Sequence, residues 1–438
     1  MSFGMDAFEE TGMSILEAPQ AVALLEDATL SAAAVRGCER RLTAFVERYL
    51  PRFYRKEQRG NAVVVLEGLL SGLQRKTCEP IAREHDVHRK PIQVFVGHGA
   101  WDDEAVTAEM RRHVKEELAD PGAVLVIDPS SFIKKGTESC GVKRQWCGRL
   151  GKTENCQVGV FLCYAADGGH APLDRRLYLP QEWASDVERR KKCHVPATMV
   201  FQEKWRIGLE MLDRCRQQMP HAWVAADDEM GRCTEFRAEL RQRKERYVVD
   251  VPCNTLIRDL EAPRPRRKHA GKGRKRERPF VSVKDWLAKR PASAWQRVEV
   301  RPGTKGPLVV EAMTRRVRTQ EKKHRLGPEE RLLVTRTTAE GCTKIDYSLS
   351  NAGPEVGIGE MVRGHAQRYR IEQMLAEGKG SAGMGHYEVR SWVGWHHHMT
   401  LSMLALWFLV SQQIRVGGKN LPGSHDSADP AHLFAFTA

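Results

Sequence analysis

Three acidic residues stand where acids need a reason to be. Ala123 to Ile127 is a short, fully apolar, β-branched run that stops at Asp128-Pro129. A carboxylate closing such a strand is unfavourable unless it meets a cleft, a cation or a hydrogen-bond donor. Pro129 adds a bias of Asp128 toward extended backbone. Ala222 to Ala226 is a second apolar run and ends at Asp227. Asp228 follows at once and would point to the opposite face of a strand, so which of the two faces Asp128 stays open. Two carboxylates at the ends of neighbouring strands make half of a site for a hard divalent cation such as Mg²⁺, which takes oxygen ligands and keeps water or phosphate on the remaining positions. The third acid is Glu372, in a helical pattern over Glu360 to Lys379. Arg368 lies four residues before it and Lys379 seven after, so all three share one helical face. That spacing alone is weak; it gains weight by following two acid-ended strands in order. Glu377 is a lesser rival for the third place.

The elements that would position these residues follow from hydrophobic periodicity. Residues 14–85 read as helical, with Ser31 to Leu50 and Asn61 to Gln74 separated by Pro51, and Trp101 to Leu118 is a further helix closed by Asp120-Pro121-Gly122. Scaffold packing and DNA binding by a helix pair are both open for this region. After Asp128 come strand-like runs Gln157 to Ala166 and Ala171 to Leu179, joined by the hairpin signal Asp167-Gly168-Gly169. A helix over Thr198 to Met219, the strand ending at Asp227, a helix over Gly231 to Arg243 and a strand over Tyr247 to Val251 complete the order βββαβαβ, an α/β layered domain with a mixed sheet. Beyond it lie strand-like Gln296 to Val300, Pro307 to Ala312, Arg331 to Arg336 and Thr343 to Leu349, and a last helix from Ser391 to Ile414.

Composition narrows the partners. The chain has 438 residues and a formal charge of +14 from 70 Lys+Arg against 56 Asp+Glu. About +8 of this falls in Pro263 to Pro279, where nine Lys/Arg meet one Glu. Among them Arg266, Arg267, Lys268, Arg274, Lys275 and Arg276 read either as a solvated loop or as a phosphate-contacting arm. Lys134, Lys135, Lys143 and Arg144 follow the first Asp and either line a DNA channel or form an ordinary basic surface. The most apolar run, Met399 to Val410, is too short to span a bilayer, and the acidic N-terminus lacks a signal-peptide layout. Eleven scattered cysteines without a Cys-x-x-Cys pair among Cys140, Cys147, Cys156 and Cys163 suit a reducing compartment and buried strand thiols rather than a zinc site. His396-His397-His398 invites a metal reading, but adjacent helical side chains diverge by about a hundred degrees, so packing or DNA contact is favoured.

Taken together these strings resemble the bacterial insertion-sequence transposases of the DDE superfamily. The resemblance rests on the three-strand start, Asp at the ends of the first and fourth strands, Glu on a late helix flanked by Arg and Lys, and the strings VLVIDPSSFIKKG, GVKRQWCGRLGKTENCQVGVF, WVAADDEMGR and GHYEVRSWVGWHHHMTLSMLAL. It covers most of residues 45–410 and implies a ribonuclease-H-like α/β core. In that scheme residues 1–120 are a helical N-terminal region and 121–251 the first part of the core. Residues 252–359 are a basic loop and β-rich insertion, 360–415 the catalytic and C-terminal helices, and 416–438 a disordered tail. Carried over by position, Asp128, Asp227 and Glu372 become a metal-binding catalytic triad for Mg²⁺, with Mn²⁺ able to substitute. Arg368 and Lys379 become phosphate contacts. The Tyr that this signature carries three residues before its Arg falls on His365 here, which either takes over that contact or shows it to be dispensable. The resemblance implies double-stranded DNA as partner (element ends and target), a homodimer on DNA, no membrane, and a cytoplasmic, nucleoid-associated setting. It implies cleavage at the element's ends and strand transfer into target DNA. An inactive DNA-binding derivative and a nuclease without strand transfer are the rivals. Some members of the group hold a flipped base on insertion aromatics, for which Trp286 and Trp295 are candidates, though core packing suits both better.

Overall fold

A computed structural model describes residues 32–265, 277–301, 307–321, 325–339 and 342–415. The stretch 14–31, the basic residues 266–276 and the tail 416–438 lie outside it. Five helices open the described chain: α1 (Ala32–Tyr49), α2 (Lys56–Leu70), α3 (Cys78–Glu84), α4 (Arg89–His98) and α5 (Asp103–Leu118). Pro51 separates the first two as its spacing predicts. Helix α5 starts where Asp102 accepts the amides of Glu104 and Ala105, satisfying donors that the first turn leaves open.

The chain then builds β1 (Val124–Ile133), β2 (Lys143–Cys147), β3 (Lys152–Ala166) and β4 (Gly169–Leu177). Next come α6 (Gln181–Ser185), α7 (Val187–Lys192), α8 (Lys204–Cys215) and β5 (Trp223–Ala226). After α9 (Asp228–Gly231) and α10 (Thr234–Gln242) follow β6 (Tyr247–Asp250), β7 (Leu256–Asp259) and β8 (Val281–Ser282). Helix α11 (Val283–Leu287) precedes β9 (Gln296–Arg301), β10 (Leu308–Gln320), β11 (Leu326–Ala339) and β12 (Cys342–Ser350), and the described chain closes with α12 (Ile358–Ala366), α13 (Tyr369–Gly380) and α14 (Trp392–Arg415).

All twelve strands join one mixed, mostly antiparallel sheet. Its path is β2-β3-β1-β5-β6-β12-β11-β10-β7-β8, with β4 also on β3 and β9 on β10. Among the described strands only β1–β5 and β5–β6 are parallel. Parallel neighbours need crossover connections, which the helices between β4 and β6 supply. Two differences from the expected βββαβαβ order appear. An extra edge strand, β2, pairs with the first third of β3. Strand β1 also runs on through Asp128 and Pro129 to Ile133, held by β3 in the register Asp128↔Phe161 and Pro129↔Val160. Pro129, lacking an N–H, is tolerated because β5 has already ended at Ala226.

The strands of residues 256–350 continue the same sheet through β12 on β6, yet carry a second small core around Ile257, Val283, Trp286, Met313, Val317, Leu332 and Leu349. The main core runs from Phe45 to Val410 and has α14 at its centre. That helix is apolar on every side because every side is covered, by β4 and by helices α2, α4 and α5. No described helix is long and apolar enough to cross a membrane.

Candidate active site

Strand β1 delivers Asp128, and the parallel register Ile127↔Ala226 puts Asp227 beside it at the end of β5. Asp227 is not a strand residue; it caps α9, its carboxylate accepting the Met230 amide at 3.1 Å. The chain therefore turns before Asp228, which points outward and pairs with Arg232 at 3.0 Å. The strand alternation expected for the Asp227-Asp228 pair is thereby replaced by a helix cap, and the acid that faces Asp128 is Asp227.

Both carboxyls are half-buried and their environment disfavours charge. Burial pushes Asp128 well above the usual carboxylate range, and the negative charges of Asp227, Glu372 and Glu229 push it further, against the pull of Arg368. Burial likewise raises Asp227, to about 6, with Glu229 and Asp228 adding to the rise and the Met230 amide opposing it. Oxygen donors crowded together with too little positive charge suit a hard divalent cation, which would supply the missing charge. Among the described residues no three His, Cys, Asp or Glu side chains are already gathered around one point. The reason is Glu372, which is turned to Arg368 at 2.8 Å and whose side chain is 58% exposed.

The helix expected over residues 360–379 is two helices. Between α12 and α13 the bonds Arg368 N–H to His365 O, Arg370 N–H to Gln367 O and Ile371 N–H to Arg368 O are three-residue turns, so the chain tightens and bends there. Arg368 is the cap of α13 rather than a residue of its interior. The bend brings His365 and Arg368 onto one carboxylate, Asp250, the last residue of β6. His365 Nε2 lies 2.9 Å from Asp250 Oδ1 and Arg368 Nε 2.8 Å from Oδ2, and Ser348 Oγ donates to Oδ1 at 2.7 Å. Burial alone would raise Asp250, but His365, Arg368 and Ser348 outweigh it and hold the carboxyl below its ordinary value. The sequence reading passed over Asp250, although YVVD is a third apolar run ending in Asp, directly after VLVID and WVAAD.

Lys379, two turns beyond Glu372, donates to Ser130 Oγ at 2.8 Å and lies over the Phe132 ring, which docks α13 on the face of β1 that carries Asp128. Lys134 stands 3.3 Å over the Tyr387 ring and bonds the Tyr387 carbonyl, and burial lowers its pKa to about 8. It is thus packed against the C-terminal segment rather than lining an open channel; Lys135 is exposed. Arg266, Arg267, Lys268, Arg274, Lys275 and Arg276 lie outside the described residues. Glu377 bonds His170 at 3.0 Å and Gln373, away from the acids.

Other candidates resolve as packing. His396, His397 and His398 are buried in α14, each bonded to a backbone carbonyl (Trp392, Trp101 and Gly383), and burial lowers each to about 4. Trp286 is buried with its Nε1–H on Asp259, and Trp295 packs beside it under Arg336.

Comparison with known proteins places the chain in a family. Residues 48–307, more than half of the chain, match the family described as DDE superfamily endonuclease. A curated relative from Microchaete diplosiphon, named a probable transposase for insertion sequence element IS701, is 32% identical over 127 residues. That match covers 28% of this chain and 33% of the relative, so the chain spans about a third of the relative's length.

Proposed function

The chain belongs to the DDE superfamily of endonucleases, and from that premise we propose that it is an insertion-sequence transposase whose catalytic acids are Asp128, Asp227 and Glu372. One observation carries the assignment: two half-buried carboxylates just beyond the last parallel pair of β1 and β5, each driven toward protonation by burial and neighbouring acids, opposite an Arg–Glu pair at the start of α13. The order β4-β3-β1-β5-β6, antiparallel then parallel, supports a ribonuclease-H-like core.

In the mechanism, Asp128 and Asp227 would hold divalent cations, Mg²⁺ or Mn²⁺, with Glu372 as a third ligand once its side chain left Arg368. Cations held there would supply the charge that activates the attacking oxygen and stabilises the leaving one. Arg368 is tied to Asp250 on one side and offers its remaining donors to Glu372 or a DNA phosphate on the other. Lys379 seats the helix by its bond to Ser130. The protein's part is to position these groups and neutralise charge without reorganising during the step. The same site, used first with water and then with a freed DNA 3′-hydroxyl, would cut element ends and join them to target DNA. Two ends require two copies, so a homodimer on DNA belongs to this reading.

The test is nicking of supercoiled plasmid carrying the native flanking DNA, in Mg²⁺ or Mn²⁺. Asp128→Asn, Asp227→Asn and Glu372→Gln should each lower nicking at least about 100-fold while leaving salt-sensitive DNA binding in place. Undiminished nicking by Asp128→Asn sinks the assignment, and loss in Asp228→Asn but not Asp227→Asn moves it by one residue. Joining of a labelled 3′-hydroxyl end to plasmid separates a transposase from a plain nuclease.

A further inference from the structure

Strand β2 is an unpaired sheet edge that shows an exposed tryptophan to solvent. Trp146 is 61% exposed, and Arg144, two residues earlier on the same face, is exposed too. Leu150, four residues further on, is exposed as well. The segment 131–155 is basic in sequence; Lys134 is packed on Tyr387, Lys143 pairs with Glu182 and Lys152 with Glu154, while Lys135 and Arg144 are exposed.

The sheet register fixes which face this is. On β1, Asp128 pairs with Phe161, Ser130 with Gly159 and Phe132 with Gln157. On β2, Arg144 pairs with Asn155 and Trp146 with Thr153. Partners across a ladder share a face and alternate residues along β3 return to it. Residues 153, 155, 157, 159 and 161 are one such series, so Trp146 and Arg144 lie on the face that carries Asp128. The opposite face is closed, with Cys147, Cys156 and Val158 packed under Tyr178. From Phe161 to Thr153 is eight residues of β3, about 27 Å at roughly 3.4 Å each.

We propose that the β2–β3 arm is a platform for an unpaired DNA strand, with Trp146 stacking on a base and Arg144 neutralising its phosphate. Between Trp146 and Asp128 the same face is covered by Phe132, Tyr387 and Trp395, so the platform stands apart from the acids, and the stacking does not rest on the transposase reading. A flat aromatic face beside an exposed arginine suits a base of any identity.

The experiment measures anisotropy of a fluorescein-labelled oligothymidine about 20 nucleotides long, and of its duplex with oligoadenosine, bound to the full chain without metal. Trp146→Ala should weaken oligothymidine binding about tenfold, Trp146→Phe should restore most of it, and duplex affinity should change less than twofold. Arg144→Ala should weaken both and reduce the salt slope by about one phosphate contact. The side chains are exposed, so the variants should melt with the wild type. Unchanged oligothymidine affinity in Trp146→Ala overturns the proposal. So does equal loss on duplex, or a change in the oligomeric state of the DNA-free variant, which would make the edge a contact between copies. The catalytic reading fails separately: absence of Asp128-dependent nicking alongside weakened binding by Trp146→Ala rejects the active site and keeps the platform.

Discussion

Asp250 accepts more positive charge than either acid it stands beside, and that division sets what each carboxylate can do. Asp128 and Asp227 are short of counter-charge and open to a cation, whereas Asp250 is already satisfied by His365, Arg368 and Ser348. Asp250→Asn leaves the Arg368 guanidinium half-buried with Glu372 as its main partner. Removing one member of such a pair costs on the order of 3 kcal/mol, so urea denaturation should show a loss of that size. Nicking should fall as well, although Asp250 touches neither cation nor DNA in this scheme, and the apparent Mg²⁺ requirement should rise because Arg368 then competes for Glu372. An unchanged Mg²⁺ dependence would reduce Asp250 to a structural role. Lys134 gives the pH prediction. Its pKa is lowered to about 8 from an ordinary 10.5, so the unfolded chain holds more protons than the native one between those values. Stability at this residue therefore rises with pH above about 8. Lys134→Met should be favoured over wild type most strongly at pH 7, and the advantage should shrink by about 1–2 kcal/mol between pH 8 and 10.5 in paired denaturation curves.

At the scale of elements, the acids are brought together by how closely two short pieces approach. Helix α9 passes so near β6 that a Cβ on Gly231 would lie 1.9 Å from the Asp250 carbonyl oxygen. Gly231→Ala must push α9 from β6, moving the cap residue Asp227 relative to Asp250. It should cost about 2–3 kcal/mol and lower nicking more than that loss accounts for; wild-type nicking in a variant with a lowered Tm would show that the spacing does not matter. This part of the site was partly legible in the sequence. VLVID and WVAAD announced themselves because a carboxylate ends an apolar run, a local signal that needs no tertiary information. YVVD carries the same signal, and only the partners gathered around Asp250 show what it is for. The bend at residues 366–370 left no mark, since Gln367 and Arg368 are good helix formers and the break comes from the long-range pull of Asp250 on His365 and Arg368. Strand β2 was equally silent: KRQWC has neither β-branched residues nor a buried face long enough to show alternation, and it is a strand because β3 extends beyond β4 and offers it an edge.

At the scale of the molecule, helix α14 decides whether the parts can be separated. Trp395, Leu401, Leu404, Trp407 and Phe408 are fully buried, under β4 on one side and under α2, α4 and α5 on the other. Phe45 meets Phe408 edge-on, and Trp101 stacks on His397 at 3.8 Å between ring centroids. Buried ion pairs cross the same boundary: Arg175 of β4 reaches Asp103 of α5, and Arg111 of α5 approaches Asp174 at 3.7 Å. The N-terminal helices are thus half of the shell around α14. Cutting the chain at residue 120 would expose the apolar side of α14 and strand Asp174 beside fewer cations, a combined penalty larger than the about 5–15 kcal/mol by which most domains are stable. A fragment of residues 121–415 should therefore be insoluble or fail to melt cooperatively, whereas the full chain should melt cooperatively. If residues 121–415 alone melt cooperatively and nick DNA with the Asp128 dependence of the whole chain, the helices are a separable head and the shared core is not what holds the acids in place.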